Sequence, residues 1–424
     1  MIKEPVHSNE YVPELPPTRL WAILLFTLLL SVCTGMLWSG LPFIARDAYG
    51  YLESEVLVLF LAIGLTYVIA AMSASPLLFL LRRWLSPRAF LSCLLVAQAL
   101  VCLTPLWLTS PAVVWLVALP TSVLNAWLWP VVESYVSAGR HGSQMRRAMG
   151  WWNITWTTAT MLSLFFMGPI METFREAWGQ LGNAAPIVLF GPLSIMGLIP
   201  LAFFRRMPGA HDTQEAQASV GRDYQSLLVV SRILLPLSYV LMAALSPLLP
   251  FLLDRLQLDV SWETALVGLC LGGRVAAMVF MWRIPIWHGH WWPLFLAALA
   301  MSGGFTVVVL IPTLTASILG LTIFGIGMGM VYFSALYYAM SVGHAQVDAG
   351  GTHEALIGSG YTIGPLAVLG GLALGGAAEQ AGWPIGKDGG IVVVTLAIVV
   401  AGCMSAWWLY QRSKPSHAGH LNDA

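Results

Sequence analysis

Long runs of apolar residues, separated by short polar segments, recur along the whole chain. Each run is close to the roughly 20 residues that an α-helix needs to cross a hydrocarbon core about 30 Å thick. The runs predict spanning helices at Leu20–Ile44, Val56–Leu80, Ala89–Leu108, Ala112–Ser137, Met149–Ile170, Ala185–Phe204, Leu227–Leu252, Thr264–Trp282, Trp292–Ile311, Thr315–Ser341, Ala355–Ala377 and Ile391–Tyr410. The pattern therefore predicts an all-α membrane protein with twelve transmembrane helices.

The longest polar stretch, which begins at Arg205, divides these helices into two sets of six. We predict a first half at residues 1–204, a linker at 205–226 and a second half at 227–424. Gly168-Pro169 in the fifth run and Gly364-Pro365 in the eleventh recur at an offset close to half the chain, which favours an internal duplication. Two pseudo-symmetric six-helix halves are typical of secondary transporters, with the substrate bound near the membrane midplane between the halves.

The distribution of Lys and Arg predicts the orientation of the chain. With an even number of helices both termini lie on one side, and the segments on that side hold fifteen basic residues against four on the other. Short loops rich in Lys and Arg remain in the cytoplasm. We therefore expect a multi-pass protein of the cell (inner) membrane with both termini and the linker in the cytoplasm.

The composition excludes several classes of function. Residues are 58% hydrophobic and 9% charged, whereas soluble domains carry roughly 25% charge. The net charge of +0 argues against a nucleic-acid partner. The five cysteines form no Cys/His cluster, and no phosphate-binding GxxxxGK[ST] motif occurs. We expect no metal, no cofactor and no ATP hydrolysis, so an ion or solute gradient must supply the energy.

Three stretches resemble the major facilitator superfamily, in particular a bacterial branch of it. They are Trp129-Pro130-Val-Val-Glu133, Asn153-Ile-Thr-Trp156, and His353-Glu354-Ala-Leu-Ile-Gly358-Ser-Gly360 followed by Gly364-Pro365. The loop after the second run departs from the family pattern: it keeps basic residues at Arg82, Arg83 and Arg88 but lacks the family's Asp and glycines. The resemblance implies a secondary transporter whose first, fourth, seventh and tenth helices line the central pathway.

The fourth run carries a polar stripe. Asn125, Trp129 and Glu133 are spaced four residues apart and so share one helix face. Charge inside a bilayer is costly and marks a functional site more often than charge elsewhere does. We interpret Glu133 as a substrate contact or proton carrier; the alternative is an interfacial residue that bonds nearby backbone or the Arg146-Arg147 loop.

Arg274 is the second charged residue placed well within a predicted span. A guanidinium pairs well with carboxylate and phosphate groups, so Arg274 is a candidate for neutralising an anionic substrate. The alternative is a structural role, either in an ion pair with an adjacent helix or bonded to backbone carbonyls at Gly272-Gly273. Trp38, Asn153, Trp156 and Tyr338 are further candidates for the pathway wall, with helix packing as their alternative.

Two Gly-Pro pairs are candidates for gating or kinks, because proline removes a helix hydrogen bond and glycine permits close approach. They are Gly168-Pro169 and Gly364-Pro365, and static close packing explains them equally well. Gly168-Pro169 is also similar to the core of a motif in the fifth helix of drug–proton antiporters. His353-Glu354, at the mouth of the eleventh run, is interpreted as a helix cap in preference to a pH-responsive pair.

The sequence thus predicts a secondary transporter that moves a small organic solute by alternating access, with proton coupling resting on Glu133 and export as the preferred direction. Its partners are the solute, protons and the lipid bilayer, and we expect a monomer. One alternative is a transporter-like sensor or assembly partner. Another is a membrane enzyme, for which the one candidate cluster is His344, Asp348, His353 and Glu354.

Overall fold

The computed structural model describes residues 16–140, 142–209, 222–341 and 347–413, and these residues form helices, turns and connecting segments without a β-strand. The α-helices of the first half are α1 Leu20–Trp38, α2 Leu41–Tyr49, α3 Glu53–Leu81, α4 Pro87–Cys102, α5 Ala112–Ser137, α6 Gly142–Trp178, α7 Ala185–Met196 and α8 Leu198–Leu201. Those of the second half are α9 Arg222–Leu245, α10 Leu249–Asp254, α11 Val260–Arg283, α12 Trp292–Leu310, α13 Leu314–Ser341, α14 Val347–Gln380 and α15 Lys387–Ser413.

The described helices cross the membrane twelve times, as predicted. Eleven segments are long and apolar enough to span it, and one of them, Ser143–Leu201, is 59 residues long. That segment turns at the 3₁₀ helix Gly179–Ala184, so α6 crosses in one direction and α7–α8 return. The chain is therefore an all-α membrane protein of two six-helix halves.

Both halves begin with a long helix that breaks and continues as a short one. The predicted first span divides into α1 and α2 at Ser39-Gly40, and the predicted seventh divides into α9 and α10 after Leu245. Pro42 and Pro250 each lie in the first turn of the short helix, a position where the missing proline N–H costs nothing. The matching breaks are a structural sign of the duplication that the two Gly-Pro pairs suggested.

The two halves meet along two seams, α3 against α14 and α6 against α11. Glycines permit the close approach. A Cβ atom on Gly64 of α3 would lie 2.6 Å from the carbonyl carbon of Tyr361, and one on Gly168 of α6 would lie 2.3 Å from Cα of Ser261. Such contacts are typical of membrane helices, which associate through small residues.

The linker and termini lie largely outside the described residues. Residues 205–209 are an irregular segment, 210–221 are not described, and α9 begins at Arg222, five residues before the predicted seventh span. The tails 1–15 and 414–424 are also outside the description, and so are His344 and the side chain of Asp348 from the enzyme cluster. We call the membrane face that carries Phe204 and Arg222 the linker side, and the opposite face the distal side.

Candidate functional site

A cavity lies between the two halves, near the middle of the helix bundle. Its volume is about 100 Å³, enough for several waters or a small organic molecule. Four helices of each half line it, through Ser31, Thr34, Trp38, Ser39, Tyr67, Trp129, Trp152, Trp156, Thr160, Tyr239, Met242, Leu271, Arg274, Tyr332, Glu354, Ile357 and Tyr361. We call this the central cavity.

Arg274 of α11 is the cation of the central cavity and is only 1% exposed. Its Nη2 donates a hydrogen bond to the Tyr239 hydroxyl at 3.2 Å. The Nε atom is buried and has no hydrogen-bond partner among the described residues. The guanidinium carbon lies 4.6 Å from the ring centroid of Trp156 and 4.8 Å from that of Tyr332, so aromatic rings flank the charge.

Glu354 of α14 is the carboxyl group of the cavity wall and is 6% exposed. The Tyr67 hydroxyl of α3 donates a hydrogen bond to its Oε2, and this bond joins the two halves. The interpretation of Glu354 as a helix cap is wrong, because α14 begins at Val347 and Glu354 lies two turns inside it. The apolar run begins only at Ala355, so a membrane span drawn from that run excludes Glu354.

Glu133 lies one helical turn from Trp129 on α5 and is not on the wall of the central cavity. Its Oε1 atom is buried without a hydrogen-bond partner among the described residues, and no described ion pair joins it to Arg146 or Arg147. Glu133 and Glu354 are close enough to repel each other when both are ionised. The structure thus brings the predicted carboxyl group near one that the sequence analysis had interpreted as a helix cap.

Aromatic side chains form most of the remaining wall. Trp38 stacks on Tyr361 across the two halves, with ring centroids 4.7 Å apart and an interplanar angle of 25°. Trp156 donates its indole Nε1–H to Asn153 Oδ1 at 3.0 Å, which fixes the ring. Trp38, Trp129 and Trp156 were predicted for the pathway; Tyr67, Tyr239, Tyr332 and Tyr361 were not, because a tyrosine within an apolar run carries no distinctive spacing.

Besides Glu133 and Asn153, two further predicted residues lie off the wall of the central cavity. Asn125 is buried and donates Nδ2–H to the backbone oxygen of Thr121 at 2.8 Å. Tyr338 is also buried, and its ring packs against Tyr224 and Trp287 nearer the linker side. Helical spacing showed which residues share a face of the same helix, but it could not show which neighbouring helix that face would contact.

A second cavity, nearer the linker side, is lined by Asn153 and residues of both halves. Arg146 of α6 and His288, after α11, face it. Burial, together with the positive charge of Arg146, lowers the pKa of His288 below its usual value. His288 therefore remains neutral at physiological pH, and its ring stacks on Tyr337 with centroids 4.3 Å apart.

Polar contacts between the halves close the distal side. Arg46 of α2 pairs with Glu263 of α11 at 2.6 Å and with its neighbour Asp47 at 2.5 Å, and it donates to the backbone oxygen of Pro250. Glu172 of α6 accepts a hydrogen bond from the backbone N–H of Ser261 at 3.2 Å. We call these contacts the distal latch.

Charge balance holds the centre of the distal latch together. Burial alone would lower the pKa of Arg46, but Asp47 and Glu263 more than offset it and hold that pKa above its usual value. Arg46 therefore stays ionised at any physiological pH. In the sequence, Arg46 is one of the four basic residues counted on the side away from the termini. Nothing in the sequence shows that its partner is a residue 217 positions away.

The two Gly-Pro pairs lie in continuous helices. Pro169 is inside α6 and Pro365 is inside α14, and both helices continue beyond them. Gly168 contacts α11 in the seam between the halves, whereas Gly364 contacts α9 of its own half, where a Cβ would lie 2.6 Å from the backbone oxygen of Val240. Both glycines therefore lie at close helix contacts, and a role of these pairs in gating or kinking stays a prediction.

Comparison with known proteins agrees with this architecture. The family model described as Major Facilitator Superfamily matches residues 23–365, well over half of the chain. The crystal structure of the nucleoside transporter NupG resembles the chain with a TM-score of 0.65 and 13% identity, covering 92% of this chain and 99% of that one. No curated protein matches the chain in sequence.

A second solved structure gives the same result. A bacterial homologue of the human lysosomal transporter Spinster, in an inward-facing and unoccupied conformation, resembles the chain with a TM-score of 0.64 and 15% identity. The match covers 94% of this chain and 98% of that one. At such identities the likeness concerns the fold alone.

Proposed function

The chain belongs to the major facilitator superfamily and is a multi-pass secondary transporter, and from this premise we propose that it moves a small organic solute through the central cavity, coupled to protons. We propose export as the physiological direction. We further propose that the protein works as a monomer in the cell inner membrane with the linker side in the cytoplasm. Family membership sets aside the membrane-enzyme alternative.

One observation carries the solute site. The central cavity lies between the halves, and Tyr67, Arg274 and Tyr361 each reach it from near the middle of a spanning helix. Substrate sites of transporters built from repeats lie at this level, where rocking of one half against the other exposes them to each side in turn. The cavity also holds buried charge, which in a membrane marks a functional site.

The distal latch and the seams support alternating access. The cavity opens distally only if the Arg46–Glu263 pair and the Glu172–Ser261 contact separate, because both join the two halves. The glycine-lined seams let the helices move over each other without large side chains in the way. Of the two alternating-access states, the structure described here then corresponds to the one that is closed on the distal side.

Proton coupling rests on Glu354 together with Glu133. An ionised Glu354 accepts a charge-assisted hydrogen bond from Tyr67 of the other half, and protonation weakens that bond. Glu133 is a second buried carboxyl group near Glu354, and its Oε1 atom has no hydrogen-bond partner among the described residues. Binding or loss of a proton thereby changes how strongly the halves hold together. The other ionisable groups around this pair are Arg274, His353, Tyr239, Tyr332 and Tyr361.

The proposed direction rests on two features. Gly168-Pro169 in α6 is similar to the core of an antiporter motif, and the central cavity has the aromatic wall suited to organic molecules. In an antiporter the inward movement of protons drives the solute out of the cell, even against the gradient of the solute itself. Export and uptake can be compared in the same vesicles by reversing the solute gradient.

Flux in proteoliposomes tests the proposal. A thermal-shift screen of the purified protein against a solute library first supplies a ligand, since a ligand present at a hundred times its Kd adds about 2.7 kcal/mol of stability. That ligand is then loaded into vesicles and its movement and the lumenal pH are recorded. We expect a solute-dependent pH change in the wild type, lost in Glu354→Gln and reduced in Glu133→Gln.

Glu379→Gln is the matched control, because Glu379 is an exposed carboxylate on the same helix as Glu354. It should leave flux unchanged. A ligand that binds but never crosses would contradict transport and favour the sensor or assembly-partner alternative. Normal solute-dependent pH changes in folded Glu354→Gln would remove Glu354 from the coupling mechanism.

A further inference from the structure

We propose that the solute carries an oxyanion, such as a carboxylate, that binds the Arg274 guanidinium, and a planar or apolar body that lies against the aromatic wall of the central cavity. This inference rests on the proposed function, which makes that cavity the solute site. It adds the chemical class of the solute, which neither the fold nor the family specifies.

The first observation is that Arg274 has unused hydrogen-bonding capacity. A guanidinium has five N–H donors, and the described structure assigns one hydrogen bond, to Tyr239. The Nε–H is buried without a partner. No carboxylate of the described residues lies within 4.0 Å of the guanidinium, although this distance detects ion pairs elsewhere in the chain.

The second observation is that the cation is enclosed. A guanidinium that is 1% exposed inside a membrane protein has lost its hydration, and such a group is stable only if other charges or dipoles replace the water. Tyrosine and tryptophan rings do so in part. A bound oxyanion would complete the replacement with two parallel N–H···O bonds, a geometry that suits arginine better than lysine.

The third observation is that aromatic rings cover part of the Arg274 side chain, which also lines the central cavity. Trp156 and Tyr332 lie 4.6 and 4.8 Å from the guanidinium carbon, so aromatic rings occupy part of its surroundings. The Asn153 hydrogen bond holds Trp156 in place. Arg274 also lines the central cavity, so a molecule bound there lies against its side chain.

The rest of the wall suits the body of such a solute. Met242, Leu271 and Ile357 contribute apolar surface, and the Trp38–Tyr361 stack contributes flat aromatic surface. A simple inorganic anion would leave this apolar wall unused. The same wall also carries the carboxyl group of Glu354, but Glu354 already accepts a hydrogen bond from Tyr67, whereas Arg274 has an unpaired donor. An organic cation would leave that donor unpaired and would meet the charge of Arg274, which makes a cationic solute the poorer match.

Four phenyl compounds of similar size but different charge test the inference: benzoate, phenylphosphonate, benzamide and benzylamine. Binding to the purified full-length protein in nanodiscs is followed by tryptophan fluorescence, since Trp156 lies beside the proposed site. We expect saturable binding of at least one oxyanion, about tenfold or more tighter than that of benzamide, because hydrogen bonds to charged groups are stronger than neutral ones. The comparison of benzoate with phenylphosphonate identifies which oxyanion the site prefers.

Variants of Arg274 assign the effect to this side chain. Arg274→Gln should weaken binding of the preferred oxyanion by about 30-fold or more while leaving benzamide binding unchanged. Arg274→Lys keeps the charge but lacks the fork of donors, so a smaller loss is expected. Arg255→Gln is the matched control, because Arg255 pairs with Asp388 on the distal side, within one half.

Three results would overturn the inference: no saturable oxyanion binding to the folded wild type, equally tight binding of benzamide or benzylamine, or unchanged oxyanion affinity in folded Arg274→Gln. If Arg274→Gln does not fold, the wild-type selectivity and Arg274→Lys decide. The proposed function fails separately: oxyanion binding without flux contradicts transport but supports this inference, whereas Arg274-independent flux of a neutral or cationic solute supports transport and contradicts the inference.

Discussion

At the scale of single residues, the sequence predicted two of the three buried charged residues around the central cavity. Arg274 and Glu133 stand out because each interrupts an apolar run, and the structure places Arg274 on the central cavity and Glu133 one turn from its wall. Glu354 was predicted as a cap because it precedes its apolar run, which begins at Ala355, whereas the helix begins eight residues earlier, at Val347. Its partner Tyr67 is 287 positions away, a distance that no local pattern spans.

The Tyr67–Glu354 hydrogen bond yields a prediction at this scale. Tyr67→Phe keeps the ring but removes the donor that joins α3 to α14. Loss of a hydrogen bond to a charged group costs about 1.5–3 kcal/mol, so we expect a lower melting temperature for the distally closed state. Differential scanning fluorimetry of the purified protein measures this effect.

Tyr361→Phe is the control for that measurement. Tyr361 lines the same cavity, and its hydroxyl makes no hydrogen bond that the structure records among the described residues. Its loss should change the melting temperature little. Equal destabilisation by the two substitutions would mean that the Tyr67 hydroxyl has no special part in holding the halves together.

At the scale of helices, apolar runs predicted the number and order of the spans but not their breaks. The first and seventh spans each divide near the distal side, at Ser39-Gly40 and after Leu245. Both breaks are followed by a proline in the first turn of a new helix. A hydropathy pattern cannot show such a break, because the residues on both sides of it are apolar.

The distal latch yields the prediction at this scale. Glu263→Gln removes the charged inter-half partner of Arg46 but leaves Asp47, so Arg46 remains partly neutralised. Losing one partner of a buried ion pair costs several kcal/mol. We therefore expect the distally open state to gain population by roughly tenfold or more, seen as a longer distance between spin labels at Leu52 and Trp262, exposed distal residues of the two halves.

Asp388→Asn is the matched control for the latch. It breaks the Arg255–Asp388 pair, which also lies on the distal side but joins two segments of the same half. The inter-label distance distribution should then remain that of the wild type. A shift in this control as large as that in Glu263→Gln would show that any lost distal charge, and not the link between halves, controls opening.

At the scale of the whole molecule, the sequence predicted two six-helix halves but not how they meet. The seams α3–α14 and α6–α11 depend on which glycines face each other across the halves, as Gly64 does with Tyr361. Forty glycines are spread along the chain, so their spacing alone does not identify a seam. The central cavity results from the same long-range arrangement, since four helices of each half must converge to form it.

Alternating access requires the central cavity to face each side of the membrane in turn, and cysteine labelling of a residue in that cavity tests this requirement. Thr34 lines the central cavity. In a protein with its five native cysteines replaced, Thr34→Cys is treated with a membrane-impermeant thiol reagent from either side of sealed vesicles. Leu52→Cys and Trp84→Cys, at residues 66% and 74% exposed on opposite sides, report the sidedness of the reagent.

We predict that Thr34→Cys reacts from both sides, while Leu52→Cys reacts only from the distal side and Trp84→Cys only from the linker side. Glu263→Gln should speed the reaction of Thr34→Cys from the distal side and slow it from the linker side, because it shifts the balance between the two states. Reaction of Thr34→Cys from one side alone, in both the latch-intact and the latch-weakened protein, would contradict alternating access through the central cavity.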